Sequence, residues 1–191
     1  MKAILLSVAL LFFTACFDKK EDKKEEENEQ ITQVEVKKEP DFNRLIKFSL
    51  KFYNSDEIFE IKRINNDNKD LEFTSNDKII LFNFFTTWCP PCKAEIPHLN
   101  DLALKYKDRL RVIGVLLEDK SDEEIAKFIK GNGISYDIVT GDNNYTFLKV
   151  LGEINGIPYI ALYDQNGKNI NNYLGAVYEE MLDIDIQKVM K

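Results

Sequence analysis

The sequence is poor in the residues that mark several protein classes. Its 191 residues hold three Cys, one His and one Trp, with only eight Gly and five Pro. So few glycines and prolines exclude a collagen-like or elastic chain. Three cysteines are too few for a disulfide-stapled scaffold or a four-thiolate zinc site, so each must be explained individually. Long apolar runs are also missing: the run near the amino terminus, Ala3 to Phe13, is shorter than the roughly 20 residues that cross a bilayer. Basic charge is in deficit, with 26 Lys plus Arg against 33 Asp plus Glu and a net charge of −7. No Lys/Arg-rich stretch is free of acids, so the basic footprint that nucleic acid requires is absent and nucleic acid is not an expected partner. Neither an internal repeat nor a Gly-rich phosphate loop is present.

What is there divides the chain into three parts. Residues 1–15 read as a signal peptide, with Lys2 as the positive start and Ala3 to Phe13 as the apolar region. The junction Phe13-Thr14-Ala15-Cys16 resembles the lipobox of bacterial lipoproteins, although Phe13 stands where Leu is usual; lipidation would consume Cys16 and tie the chain to membrane lipid. Residues 16–40 read as a tether, since every residue from Asp18 to Glu29 except Asn28 is charged and has nothing to bury. Residues 41–191 carry the apolar character, consistent with a hydrophobic fraction of 44%, and suffice for one folded domain.

Within that domain the apolar period alternates between two and 3.6. Strands are expected at Phe59 to Ile64, Leu71 to Phe73, Ile79 to Phe85, Arg111 to Leu117 and Tyr136 to Thr140. A last pair, Pro158 to Tyr163 and Asn169 to Leu174, is joined through Asn166-Gly167. Helices are expected at Pro90 to Tyr106, from the capping box Ser121-Asp122-Glu123-Glu124 to the stop Gly131-Asn132-Gly133, at Asn144 to Leu151, and at Glu179 to Met190. Residues 42–58 receive no element. Strand–helix–strand units followed by an antiparallel hairpin predict an α/β fold, a mixed central sheet flanked by helices on both faces.

The chemistry is concentrated in Thr86-Thr87-Trp88-Cys89-Pro90-Pro91-Cys92-Lys93, between a buried strand and a helix. Cys89 and Cys92 are spaced to close a small disulfide ring. A helix N-terminus presents unpaired N–H groups and the positive end of the macrodipole, which favours a thiolate on Cys89 and draws its pKa from about 8.5 toward about 7. Pro90 and Pro91 suit the first helical turn, where the N–H donors have no partners. Cys92, one turn deeper, is expected to be more buried and to act as the resolving thiol. A zinc site is disfavoured because the remaining soft ligands are Cys16 and His98, and inert buried thiols fit poorly with an oxidising compartment.

Leu81-Phe82-Asn83-Phe84-Phe85-Thr86-Thr87-Trp88-Cys89-Pro90-Pro91-Cys92-Lys93-Ala94-Glu95-Ile96-Pro97, followed by Gly156-Ile157-Pro158 entering a strand, resembles the TlpA/ResA branch of the thioredoxin superfamily. These are membrane-tethered extracytoplasmic thiol–disulfide oxidoreductases, and the resemblance covers about residues 75–190. It implies a thioredoxin-like fold, with the strand and helix between Asp137 and Leu151 as the insert of this branch. It also implies Cys89 as the attacking and Cys92 as the resolving cysteine, Trp88 as the aromatic residue shielding the disulfide, and Pro158 as the cis-proline facing the pair. Glu95 matches the acidic residue near the site. Asn83 occupies the place of the buried carboxylate of plain thioredoxin, which shifts proton handling to Glu95. Tyr159 replaces the usual Thr after the proline, and His98 reads as a surface residue.

The implied activity is reduction of disulfides in an extracytoplasmic protein substrate, with apocytochrome c as the client in cytochrome c maturation and a thiol-type membrane electron donor. No cofactor or metal is implied. Two alternatives come from other classes. Copper delivery would need a three-residue spacer between the cysteines and a histidine far downstream, unlike Cys89, Cys92 and His98. A thiol peroxidase is suggested by Thr86 three residues before Cys89, but the proline expected four residues before that threonine is Phe82.

Overall fold

A strand forms first where no element is expected. In β1 (Lys47–Phe52), Phe48, Leu50 and Phe52 are buried while Lys47 and Lys51 face solvent, the period-two pattern of a half-buried strand. The computed structural model describes residues 47–64, 69–73, 77–152 and 154–190. All of these belong to one compact unit, Glu39–Lys191. The expected signal peptide, Cys16 and tether lie outside the described residues, as do residues 65–68 of the turn between the second and third strands.

The other elements follow the apolar periods closely. They are β2 (Ile58–Arg63), β3 (Leu71–Phe73), β4 (Ile79–Phe85), α1 (Pro90–Lys105), β5 (Leu110–Leu116) and α2 (Asp122–Asn132), then β6 (Asp137–Thr140), α3 (Asn143–Val150), β7 (Tyr159–Tyr163), β8 (Asn169–Leu174) and α4 (Glu179–Val189). The capping box at Ser121 and Glu124 is formed, and Gly133 closes α2 in the left-handed region at φ 65°. The eight strands form one mixed sheet in the order β3-β2-β1-β6-β5-β4-β7-β8. β4 is central, parallel to β5 and antiparallel to β7. The strand and helix expected in the insert are β6 and α3. This is a thioredoxin-like α/β fold.

Alternation along β4 divides the core. Ile80, Phe82 and Phe84 point to the face covered by Phe147 and Val150 of α3. Ile79 and Leu81 point to the face covered by α1 and α4, through Leu99, Leu102, Leu182 and Ile186. Each buried side chain of this size contributes about 1.5–3 kcal/mol relative to exposure.

The sheet does not stay flat. β1 pairs with β6 at Lys51–Thr140 and Phe52–Val139. Beyond that pair the β1–β2–β3 meander curls over the α3 face. Phe73 of β3 comes 5.9 Å from the ring of Phe82 and 5.5 Å from that of Tyr163, although four strands separate β3 from β4 in the sheet order. The Leu71 N–H donates to the Gly167 carbonyl at 2.9 Å, and the Asn169 N–H donates to Asp70 Oδ1 at 2.8 Å. The Asn166-Gly167 connection is therefore more than a hairpin turn. It is a longer loop organised by Asp164, whose carboxylate accepts the Asn166 and Lys168 N–H groups, and it is the anchor for β3.

Candidate active site

The central strand β4 delivers the chain to the candidate site at its carboxyl end, where α1 begins. Cys89 is the N-cap of α1, with Pro90 and Pro91 in the first helical positions. Its Sγ accepts the Cys92 N–H at 3.2 Å, so one unpaired donor of the helix start is turned onto the sulfur. Cys89 and Cys92 form a disulfide with a Cα–Cα distance of 5.3 Å. A thiolate formed on Cys89 after reduction would occupy the position already favoured by that N–H and by the helix dipole.

The expected contrast in burial between the two cysteines is nearly absent in this state, since Cys89 is 2% and Cys92 1% exposed. Both pack with Phe85, Ile96, Leu116, Ile125, Ile134 and Ile138, and Ile157 packs against the same cluster. Trp88 is 67% exposed, so it stands at the rim beside the disulfide, while the apolar cluster buries the sulfurs. The Ile157–Pro158 peptide bond is cis, and Pro158 follows directly on Ile157 and so lies beside the cysteine cluster. Tyr159 turns away from the site into the opposite core, where its ring lies 5.9 Å from that of Phe84. Its hydroxyl donates to Asn172 Oδ1 and accepts from Lys69 Nζ. Having Tyr where Thr is usual therefore fills the aromatic core and leaves the face toward the cysteines to the neighbouring backbone. His98 lies on the surface, 3.3 Å from Glu179 Oε2.

Glu95 is buried, at 3% exposure. Its Oε1 accepts the Val177 N–H at 2.7 Å, and Oε2 has no protein partner among the described residues. Burial raises its pKa from 4.5 to about 7, against the opposing effects of the Val177 hydrogen bond and the charge of His98. Asn83 is buried on the same side of the sheet, its Oδ1 without a hydrogen-bond partner among the described residues, and its polarity opposes the effect of burial on the Tyr136 hydroxyl. Burial raises the pKa of Tyr136 above its ordinary value, and the charge of Glu95 adds to the rise. Asn83, Glu95 and Tyr136 thus form a polar cluster behind the cysteines. Glu118 is a further carboxylate at the site: it follows β5 and accepts the Thr87 N–H, one residue before Trp88. Neither Tyr136 nor Glu118 was legible as a site residue, because each reaches the site across the sheet from a segment distant in sequence.

The raised Glu95 pKa predicts a pH-dependent stability. The folded chain holds this proton more tightly than the unfolded chain, so stability falls as pH rises from about 4.5 to about 7 and is not recovered above that window. Glu95→Gln keeps an acceptor for Val177 and removes the ionisation. The variant should match the wild type below about pH 4 and exceed its stability above about pH 7, by on the order of 1–2 kcal/mol. Urea unfolding across this range is the check, and parallel pH profiles for the two proteins would refute the buried-acid assignment.

Comparison with known proteins agrees with this geometry. The AhpC/TSA family profile matches residues 48–182. Thiol-disulfide oxidoreductase ResA of Bacillus thuringiensis subsp. konkukian is 31% identical over 112 residues, 59% of this chain and 64% of that protein. Thiol:disulfide interchange protein DsbE of Haemophilus influenzae is 34% identical over 128 residues, 67% of this chain and 65% of that protein. The match thus spans slightly less than two thirds of either relative. Among solved structures, a putative thiol:disulfide interchange protein DsbE from Chlorobium tepidum superimposes with a TM-score of 0.60 at 21% identity, covering 78% of this chain and 96% of that one. StoA from Bacillus subtilis superimposes with a TM-score of 0.56 at 21% identity, covering 75% and 98%. These two structural likenesses concern the fold. With a cysteine pair at the start of α1, a cis-proline beside it and a profile match running through both, the chain belongs to the AhpC/TSA family.

Proposed function

We propose that this protein is an extracytoplasmic thiol–disulfide oxidoreductase that reduces protein disulfides through Cys89 and Cys92. The observation that carries the reading is the Cys89–Cys92 disulfide at the N-cap of α1, with Cys89 Sγ receiving the Cys92 N–H. In the reduced protein the Cys89 thiolate attacks one sulfur of a client disulfide. That bond breaks, the second client sulfur leaves as a thiolate and takes up a proton, and a mixed disulfide joins Cys89 to the client. Cys92 then loses its proton and attacks the Cys89 sulfur, releasing the client's other thiolate, which is protonated in turn. The client has gained two electrons and two protons, and the protein holds the Cys89–Cys92 disulfide. Glu95, one helical turn beyond Cys92 and with a pKa near 7, is suited to receive the Cys92 proton.

Pro90 and Pro91 place no charge between the cysteines to over-stabilise the Cys89 thiolate, which favours a reducing poise. Relatives named as thiol-disulfide oxidoreductase and thiol:disulfide interchange protein support the same chemistry. The peroxidase alternative is weakened by Phe82, which fills the place of the expected proline and lies in the aromatic core on the other face of the sheet. The test is reduction of insulin by the dithiol protein. Wild type should turn over with an external reductant, Cys89→Ser should be inactive, and a fully active Cys89→Ser protein would overturn the proposal.

The cellular setting is part of the same reading. Lys2, the apolar run Ala3 to Phe13 and the Ala15-Cys16 junction support a lipid anchor on Cys16, with the charged segment as a spacer from the membrane. The client would be an extracytoplasmic protein such as apocytochrome c, and a membrane thiol donor would recharge the pair. Cys16→Ser should move the protein from the membrane fraction to the soluble fraction or leave it unprocessed; unchanged fractionation would remove the anchor from the proposal.

A further inference from the structure

Three Asn–Gly pairs stand in the chain, Asn132-Gly133, Asn155-Gly156 and Asn166-Gly167. Asparagine before glycine is chemically labile. The glycine nitrogen attacks the asparagine side-chain Cγ, ammonia leaves, and a five-membered succinimide forms. Water then opens that ring to aspartate or, with the main chain rerouted through the side-chain carbonyl, to isoaspartate. No electrons are transferred, and the only co-reactant is solvent water. Glycine permits the reaction because it has no Cβ to hinder the approach. Attack still needs a glycine nitrogen that is not held by a hydrogen bond and an asparagine side chain that can turn onto it.

The fold withholds these conditions from two of the pairs. The Gly133 N–H donates to the Ile129 carbonyl at the end of α2, and Asn132 Nδ2 donates to the Phe128 carbonyl at 2.8 Å. The Gly167 N–H donates to the Asp164 carbonyl at 3.0 Å, and the Asn166 N–H donates to Asp164 Oδ1 at 2.8 Å. Asn155 and Gly156 are different. Both are exposed and lie between α3 and β7, outside any helix or strand. Neither the Gly156 N–H nor the Asn155 side chain has a hydrogen-bond partner among the described residues. The backbone there does not require glycine either: Gly156 is outside the left-handed region, and an added Cβ would meet only the flexible end of Leu174, at 3.3 Å from Cδ1.

We infer that Asn155 is a site of spontaneous deamidation and that the isoaspartate formed there disturbs the cysteine pair. The site follows from the three environments just described; its effect on the cysteines rests in addition on the proposed disulfide chemistry. Ile157 packs against the cluster that buries Cys89 and Cys92, and Gly156 alone separates it from Asn155. Pro158 comes next, its carbonyl held by the Gly175 N–H at 2.9 Å. An extra main-chain carbon at residue 155 therefore enters directly beside a packed side chain, and close-packed interiors transmit such a shift. Displacement of Ile157 loosens the cover of the sulfurs. The new carboxylate also adds negative charge to the segment leading to them, and like charge disfavours a thiolate.

To test this, the full chain with its Cys89–Cys92 disulfide closed is aged in warm, mildly alkaline buffer. Its proteolytic fragments are then sequenced by mass spectrometry, with an isoaspartate-specific methyltransferase as a second readout. Asn155 should convert at least about tenfold faster than Asn132 or Asn166, since in those pairs a backbone hydrogen bond must break before the glycine nitrogen can attack. In urea, where the fold no longer protects them, the three rates should converge to within about threefold. Gly156→Ala should slow conversion at Asn155 by at least about tenfold, because a Cβ on the attacking residue closes off conformations open to glycine. After reduction, insulin turnover by aged wild type should fall in step with the isoaspartate at residue 155, while equally aged Gly156→Ala protein keeps the rate it had when fresh. Conversion first at Asn132 or Asn166, or rates as unequal in urea as in the folded chain, overturns the site. Full conversion at Asn155 with unchanged insulin turnover overturns the link to the cysteines. Fresh protein that fails to reduce insulin overturns the proposed function, whereas the site still stands or falls on the conversion rates.

Discussion

Replacing Cys92 with Ser is expected to turn the protein from a catalyst into a trap. Cys89 keeps its place at the N-cap of α1, so attack on a client disulfide proceeds. The hydroxyl that replaces the Cys92 thiol cannot displace the client sulfur. In the native protein that displacement is intramolecular, within a ring whose Cα atoms lie 5.3 Å apart. In the variant only an external thiol at millimolar concentration can resolve the adduct, so multiple-turnover reduction should fall by at least about a hundredfold. Mixed disulfides should accumulate through Cys89 and disappear on addition of excess dithiothreitol. Non-reducing gels of cell envelopes, followed by identification of the trapped proteins, would show adducts and name the clients. Full turnover by the Cys92→Ser protein would reverse the roles assigned to the two cysteines.

Gly167→Ala should produce the largest loss of stability at a position remote from the chemistry. Gly167 has φ 78°, a region that L residues rarely adopt, and a Cβ there would stand 1.8 Å from the Leu71 carbonyl oxygen. Backbone cannot yield as a flexible side-chain end can. The loop must shift, the Leu71–Gly167 hydrogen bond is lost, and Phe73 is displaced from Phe82 and Tyr163. We expect a cost of about 3 kcal/mol or more, or roughly a 10 °C drop in Tm for a domain of this size. Gly133→Ala is the comparison, because Gly133 has φ 65° and an added Cβ would meet nothing within 4 Å, so it incurs the conformational cost alone, about 1 kcal/mol. Equal losses in the two variants would show that β3 does not depend on its contact with the Gly167 loop. Since β3 packs on the face opposite α1, thiol reactivity at temperatures where the Gly167→Ala protein remains folded should be unchanged.

The cysteine pair and its setting were legible in the sequence because they depend on neighbours in the chain. A nearly all-apolar strand, two prolines and two cysteines in one helical turn dictate the N-cap geometry at Cys89 without help from distant residues. The Ser121–Glu124 box and the stop at Gly133 are local for the same reason, and both formed as expected. The cis bond before Pro158 and the insert of β6 and α3 were carried by resemblance to a family, and the fold contains them.

Other features depended on residues far apart in sequence. β1 has an alternating pattern, but its six residues gain their stability from pairing with β2 and β6, which a local reading of residues 42–58 does not supply. The role of the Gly167 loop as an anchor for β3 arises from the curl of the sheet, which brings segments almost a hundred residues apart into hydrogen-bonding distance. Sequence alone placed Glu95 one turn beyond Cys92; only packing decided that its carboxyl would be buried, bonded to Val177 and raised to a pKa of about 7. Glu118 is the clearest case. It does not lie near the cysteines in the chain, and it reaches the segment before Cys89 because the end of β5 delivers it there. Local sequence determines the chemistry a helix start can perform, whereas the solvent, charge and neighbours that tune it are set by which distant backbone the fold brings alongside.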